Sequence, residues 1–201
     1  MVRGIRTLGL GVALAAALGS SAWAQAASSV SPFVNVRVGM NLYDTTLTTT
    51  TPTGAPFKAV DQGGDAMRVD LGGGVDWRSA RGFVLGAEAS LGATSGRSRL
   101  MAAGVDYSWR APVVSEIALR AGWRSAAGAG IILRVGTTVA QVRTDLNGRD
   151  SSSWEAGLLV GVSAEVPIGT ASPAFVRIDV SRSEVTGVEM WAGTVGIGYR
   201  W

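Results

Sequence analysis

Seven arginines, Arg37, Arg68, Arg120, Arg124, Arg134, Arg177 and Arg200, and seven carboxylates, Asp70, Asp76, Glu88, Glu116, Glu155, Glu165 and Asp179, occupy polar positions in segments that otherwise alternate with apolar residues. Guanidinium forks and carboxylates in equal number can form charge-assisted, often bidentate hydrogen bonds. Few other chemistries are open to the chain. It has no histidine and no cysteine, which removes Ser-His-Asp catalysis, histidine or thiolate metal sites, and disulfides. A Ser-Lys dyad would depend on Lys58, which lies in a threonine- and proline-bearing stretch that reads as a surface loop. Leu71-Gly-Gly-Gly-Val75 is no phosphate cradle, because no helical pattern follows whose N-terminus could hold an anion. The sequence therefore predicts no catalytic residues, no cofactor and no metal.

The elements that must position these charges have a period of two. Val34, Val36, Val38, Met40 and Leu42 alternate with Asn35, Arg37, Gly39 and Asn41, and Met67, Val69, Leu71, Val75 and Trp77 alternate with Arg68, Asp70, Gly72, Gly74 and Asp76. Each pattern is a strand with one apolar and one polar face. The same reading predicts strands over 34–42, 67–77, 83–92, 115–124, 131–141, 154–166, 174–183 and 191–201. A weaker candidate at 100–109 is either an excursion within a loop or, with a strand hidden in the threonine-rich tract 45–53, one of a pair that would make ten. Eight is preferred, because the long connections near 44–65, 93–114, 143–153 and 184–188 then share one end and the short turns near 78–82, 125–130 and 167–173 share the other. That asymmetry is expected of a transmembrane antiparallel up-and-down β-barrel, an all-β fold.

Which face is the interior follows from the aromatics. Trp77, Phe83, Trp123, Tyr199 and Trp201 fall at predicted short-turn ends of strands, and Trp154 and Trp191 at long-loop ends, as two girdles on the apolar face. Ten residues separate Trp191 from Trp201, about 33 Å along a strand, which a tilt near 40° projects to about 25 Å, the height of an apolar membrane band. The charges then face inward. An eight-stranded barrel is just wide enough to be filled by its own side chains, so they form a lumen network, with Gly72, Gly74, Gly122, Gly136, Gly157, Gly161, Gly196 and Gly198 leaving room for the arginines. The six prolines are expected outside the ladders: Pro32 before the first strand, Pro52 and Pro56 in the first loop, Pro112 in the second, and Pro167 and Pro173 around the last turn.

At the other end, Arg3 and Arg6 precede an apolar run over 8–18 and the small-x-small sequence Ala22-Trp23-Ala24. This is the pattern of a signal peptide over 1–24, leaving a single barrel domain over 25–201. Removing Arg3 and Arg6 from 18 basic residues leaves 16 against 15 acidic ones, and no basic run remains for a nucleic acid.

The signal peptide, the alternating strands, the segment Leu71-Gly-Gly-Gly-Val-Asp-Trp77 and the terminal Gly198-Tyr-Arg-Trp201 together resemble the small bacterial outer-membrane β-barrel family, similar to the transmembrane domain of OmpA and to OmpX-like and opacity-type surface proteins. The resemblance implies residence in a Gram-negative outer membrane among its lipids. It also implies an assembly signal, Val195, Ile197, Tyr199 and Trp201, read by the outer-membrane assembly machinery. The sequence ends at Trp201, so the peptidoglycan-binding domain of OmpA is not carried over. The function expected is a structural and surface-interaction role in the cell envelope, with the loops offered to a surface ligand. A low-conductance, porin-like channel is the alternative. A soluble periplasmic barrel binding a small ligand is a third, and would have the opposite polarity.

Overall fold

A computed structural model describes residues 29–51, 53–59, 63–102, 104–169, 172–185 and 188–201. The predicted signal peptide, 1–24, lies outside the described residues. Among those described, eleven strands run in chain order: β1 Ser29–Thr45, β2 Leu47–Thr50, β3 Pro56–Ala59, β4 Gly64–Arg78, β5 Phe83–Thr94, β6 Ser98–Ala102, β7 Val105–Arg124, β8 Gly130–Leu146, β9 Arg149–Pro167, β10 Ala174–Val185 and β11 Val188–Arg200. Eight close a barrel in the order β1-β4-β5-β7-β8-β9-β10-β11, with β11 returning to β1 and every pair antiparallel. Closure leaves the backbone donors and acceptors of these strands paired with neighbours and removes the open edges of a flat sheet.

All eight predicted strands are present, each extended beyond its alternating stretch. The extensions lie mostly at the long-loop end, where neither face has to be apolar and backbone pairing alone carries the ladder. The predicted loop at 143–153 is largely strand: β8 and β9 stay paired up to Leu146↔Arg149. They are joined by Asn147-Gly148, both at positive φ (53° and 78°). Positive φ at both central residues is what a two-residue hairpin turn demands, and Asn-Gly is its commonest sequence. The segment at 100–109 is a hairpin of β6 with the start of β7, from Ser98↔Trp109 to Ala102↔Val105. The threonine-rich tract forms a separate hairpin of β2 and β3. Neither adds a strand to the barrel wall.

Four prolines sit in strands rather than outside them, two of them away from the strand ends. Pro32 lies within β1, opposite Val75 of β4. Its carbonyl accepts from the Trp201 amide at 3.0 Å, so its ring nitrogen faces the same, β11, side, just past the last paired residues Phe33↔Arg200. No ladder donor is lost there. Pro112 lies within β7, where pairing to β8 steps from Arg110↔Arg143 to Val113↔Gln141. That is one extra residue on β7, a β-bulge, which tolerates the missing amide and reverses which side chains face inward. Of the others, Pro56 opens β3, Pro167 closes β9 and Pro173 is in the turn before β10, whereas Pro52 lies outside the described residues.

Side chains divide by parity as alternation requires. Val34, Val36, Val38, Met40 and Leu42 on β1, Ile117 and Leu119 on β7, Ile131, Leu133 and Val135 on β8, and Val195 and Ile197 on β11 are all exposed on the outside. All but one of the predicted interior glycines stand where a Cβ would overlap a neighbour; at Gly72 it would fit tightly. A Cβ on Gly198 would overlap the ring of Phe175. Gly198→Ala is accordingly expected to cost about 1–3 kcal/mol through overpacking, read as a lower urea midpoint of the folded barrel.

Candidate functional site

The barrel interior is filled by its own side chains. Its middle is an ion-pair network of seven arginines and six carboxylates. Glu88 of β5 is the hub. It receives Arg120 at 2.6 Å and Arg177 at 2.8 Å, and it also contacts Nε of Arg134. β5 and β10 stand on opposite sides of the eight-stranded ring, so the Arg177 side chain spans the lumen to reach it. Toward the long-loop end, Glu116 binds Arg68 at 2.6 Å and Arg134 at 2.7 Å, while Asp70 pairs with Arg68 at 2.7 Å and Arg37 at 3.7 Å. Asp179 takes Arg177 at 2.7 Å and Arg37 at 3.4 Å, together with the Ser163 hydroxyl. Toward the short turns, Glu165 is shared by Arg120 at 2.6 Å, Arg124 at 2.7 Å and Arg200 at 2.6 Å, and Asp76 by Arg124 at 2.7 Å and Arg120 at 3.1 Å. Glu155 is half-buried on the same inward face of β9, nearer the long-loop end.

Two buried aromatics face inward within the short-turn half of this network. Phe33 and Phe175 meet edge to face, with centroids 6.4 Å apart. The Arg120 guanidinium lies 4.3 Å from the Phe33 ring centroid, and that of Arg200 lies 4.4 Å from the Phe175 centroid. Such contacts favour a desolvated cation.

The long-loop end is closed by an apolar plug. Tyr43, Ala66, Trp109, Ala111, Val114, Ala140, Val142, Val185, Val188 and Met190 form one buried cluster, with Tyr107 packed against it. Tyr43 and Trp109 meet edge to face at 4.8 Å. Beneath them, Asn41 donates to the Tyr43 hydroxyl at 3.2 Å, and the Thr94 hydroxyl donates to the Ala111 carbonyl. The bulge at Pro112 makes this plug. It turns Val105, Trp109 and Ala111 to the inside, out of phase with Glu116 and Arg120 further along β7.

The seven aromatics predicted for the girdles, Trp77, Phe83, Trp123, Trp154, Trp191, Tyr199 and Trp201, are exposed on the barrel's outside. Trp123 donates from its indole to the Arg81 carbonyl at 3.1 Å, and Trp191 to Glu189 at 2.6 Å, so each keeps a polar contact beside an apolar body. Sequence reasoning missed Phe33, Phe175 and the plug. Phe33 and Tyr43 share the parity of Arg37, a signal that was present, whereas Trp109 is readable only once the bulge is known.

A closed eight-stranded barrel with an apolar exterior and a charged, ion-paired interior has the architecture of outer-membrane barrels, and the reverse polarity of a soluble carrier. Solved structures align with this chain at low sequence identity. Ail, the attachment invasion locus protein of Yersinia pestis, is 10% identical over 85% of this chain and 99% of that one, with a TM-score of 0.49. Neisserial surface protein A (NspA) is 12% identical over 86% of this chain and 97% of that one, with a TM-score of 0.41. No family model and no curated protein matches the chain.

Proposed function

We propose that the chain is an integral outer-membrane barrel with a structural and surface-interaction role: a sealed, rigid platform that presents β2–β3 and the extended ends of β6–β9 outside the membrane. In this reading residues 1–24 are a cleaved signal peptide, the short turns face the periplasm, the seven exposed aromatics lie at the two lipid interfaces, and Val195, Ile197, Tyr199 and Trp201 are offered to the assembly machinery. The observation that carries it is the apolar exterior. Large aliphatic side chains stand exposed on all eight barrel strands, a surface that a protein in water buries or pairs.

Membrane fractionation with boiled and unboiled samples on a detergent gel tests it. Outer-membrane enrichment with a mobility shift on boiling is the expected result, and a soluble periplasmic protein would defeat the reading. A substitution sharpens the test. Leu119, 72% exposed, stands four residues along β7 from Trp123, well inside the belt. Leu119→Arg should cost about 2–4 kcal/mol in a bilayer, as a charge near the midplane does. In a soluble barrel the same change would cost almost nothing.

A further inference from the structure

Three arginines form a row on the outward face beyond the belt. Arg110 of β7 is directly opposite Arg143 of β8. Arg97 immediately precedes Ser98, which is opposite Trp109, so it continues the row on the other side of Arg110. All three are exposed, and among the described residues none makes an ion pair; the Arg143 guanidinium donates only to Gln141, at 3.3 Å. Like charges directly across a ladder repel, so this row calls for an anion. Three acids lie nearby and offset part of the row's charge without forming an ion pair with it. Two hydrogen bonds from Arg99, with a smaller contribution from the Arg97 charge, hold the Asp106 carboxyl below the usual range, Asp145 accepts from the Gly148 amide in the hairpin turn, and Asp150 lies across from Asp145, one step further out. The three arginines line a recess of about 380 Å³ together with Ser108, Ser152 and two carboxylates, Asp145 and Asp150, which leaves it with an excess of positive charge.

The height of the row selects the ligand. Arg143 is two residues along β8 from Gln141, whose cross-strand partner is the exposed Trp154. That is about 7 Å along the strand, and interfacial tryptophans sit at the level of lipid headgroups.

We infer that Arg97, Arg110 and Arg143 form a binding site for the phosphate of an anionic lipid headgroup in the leaflet surrounding the long-loop end. The inference rests on the outer-membrane reading above. The phosphate would sit between guanidinium forks that match its geometry, with the Ser152 and Ser108 hydroxyls as further donors.

The test is spin-labelled lipid association with the full barrel in phosphatidylcholine vesicles, comparing labelled phosphatidic acid with labelled phosphatidylcholine. Folding is scored first by the mobility shift. A wild-type chain that does not fold into vesicles defeats the barrel reading and this inference with it. A folded wild type is expected to select phosphatidic acid, and Arg97→Ala/Arg110→Ala/Arg143→Ala to lose that selectivity by about fivefold per arginine. Replacing all three with lysine should retain part of it. Arg143→Gln alone serves if the triple variant does not fold. Equal selectivity in wild type and variants would overturn the site while leaving the barrel intact. Loss of the wild-type selectivity in millimolar inorganic phosphate, at matched ionic strength, would assign the row to a soluble phosphate and overturn the lipid source.

Discussion

Glu88→Ala is expected to lower the unfolding free energy by about 3–5 kcal/mol, the range found when one partner of a buried ion pair is removed. The readout is the urea concentration at which the unboiled, fast-migrating form is lost. Three arginines converge on this carboxylate from β7, β8 and β10, and all three are fully buried. Arg120 keeps Glu165 and Asp76, Arg134 keeps Glu116, and Arg177 keeps Asp179. None is stripped bare, yet the hub that ties opposite walls together is gone, and positive charge accumulates where no water reaches it. Arg200→Ala is the internal comparison. Its side chain is 15% exposed at the short-turn end, and its partner Glu165 retains Arg120 and Arg124. A loss of about 1.5–3 kcal/mol is expected there, that of a hydrogen bond to a charged group. Equal losses for the two variants would mean that the network does not act through the convergence at Glu88.

The wall of this barrel was legible because parity is local. Each strand shows its two faces within five or six residues, and the apolar face must be continuous around the ring. Which arginine meets which carboxylate was not legible. Arg177 and Glu88 are 89 residues apart, and their meeting depends on the stagger of strands on opposite sides of the lumen, which no single strand encodes. The bulge at Pro112 was hidden for a related reason: one extra residue inverts a parity pattern, and most of the inverted stretch fell into the separate weak candidate at 100–109 rather than reading as part of β7. Pro112 itself was the clue, since a proline next to a change of phase is where a ladder accommodates both. The hairpin joining β8 and β9 failed in the opposite direction. Ser151, Ser152 and Ser153 carry no apolar alternation, so the segment read as loop, although Asn147-Gly148 named the turn. Alternation reports burial against lipid or core, and a strand standing in water on both faces has none to report.

Removing the plug should cost stability without opening a path. Trp109→Ala is expected to destabilise by about 3–5 kcal/mol, as truncation of a large buried aromatic does. It should nevertheless leave the current across a planar bilayer at baseline. An ion entering from the long-loop end meets the Tyr43–Trp109 contact first and then the arginine–carboxylate network, with Phe33 and Phe175 packed into its short-turn half. Plug and network are in series, so deleting the first leaves the second. Adding Tyr43→Ala widens the first vestibule and changes nothing beneath it. Glu116→Ala, which vacates a carboxylate shared by Arg68 and Arg134, separates the two readings of the lumen. In a sealed interior it lowers the urea midpoint and leaves the bilayer silent, whereas in a channel it changes both the size and the ion preference of steps already visible in the wild type. Steady single-channel steps from the wild-type barrel would therefore defeat the sealed-platform reading. Silence from the wild type and from Trp109→Ala alike would place the role of this protein on its outer surface rather than along its axis.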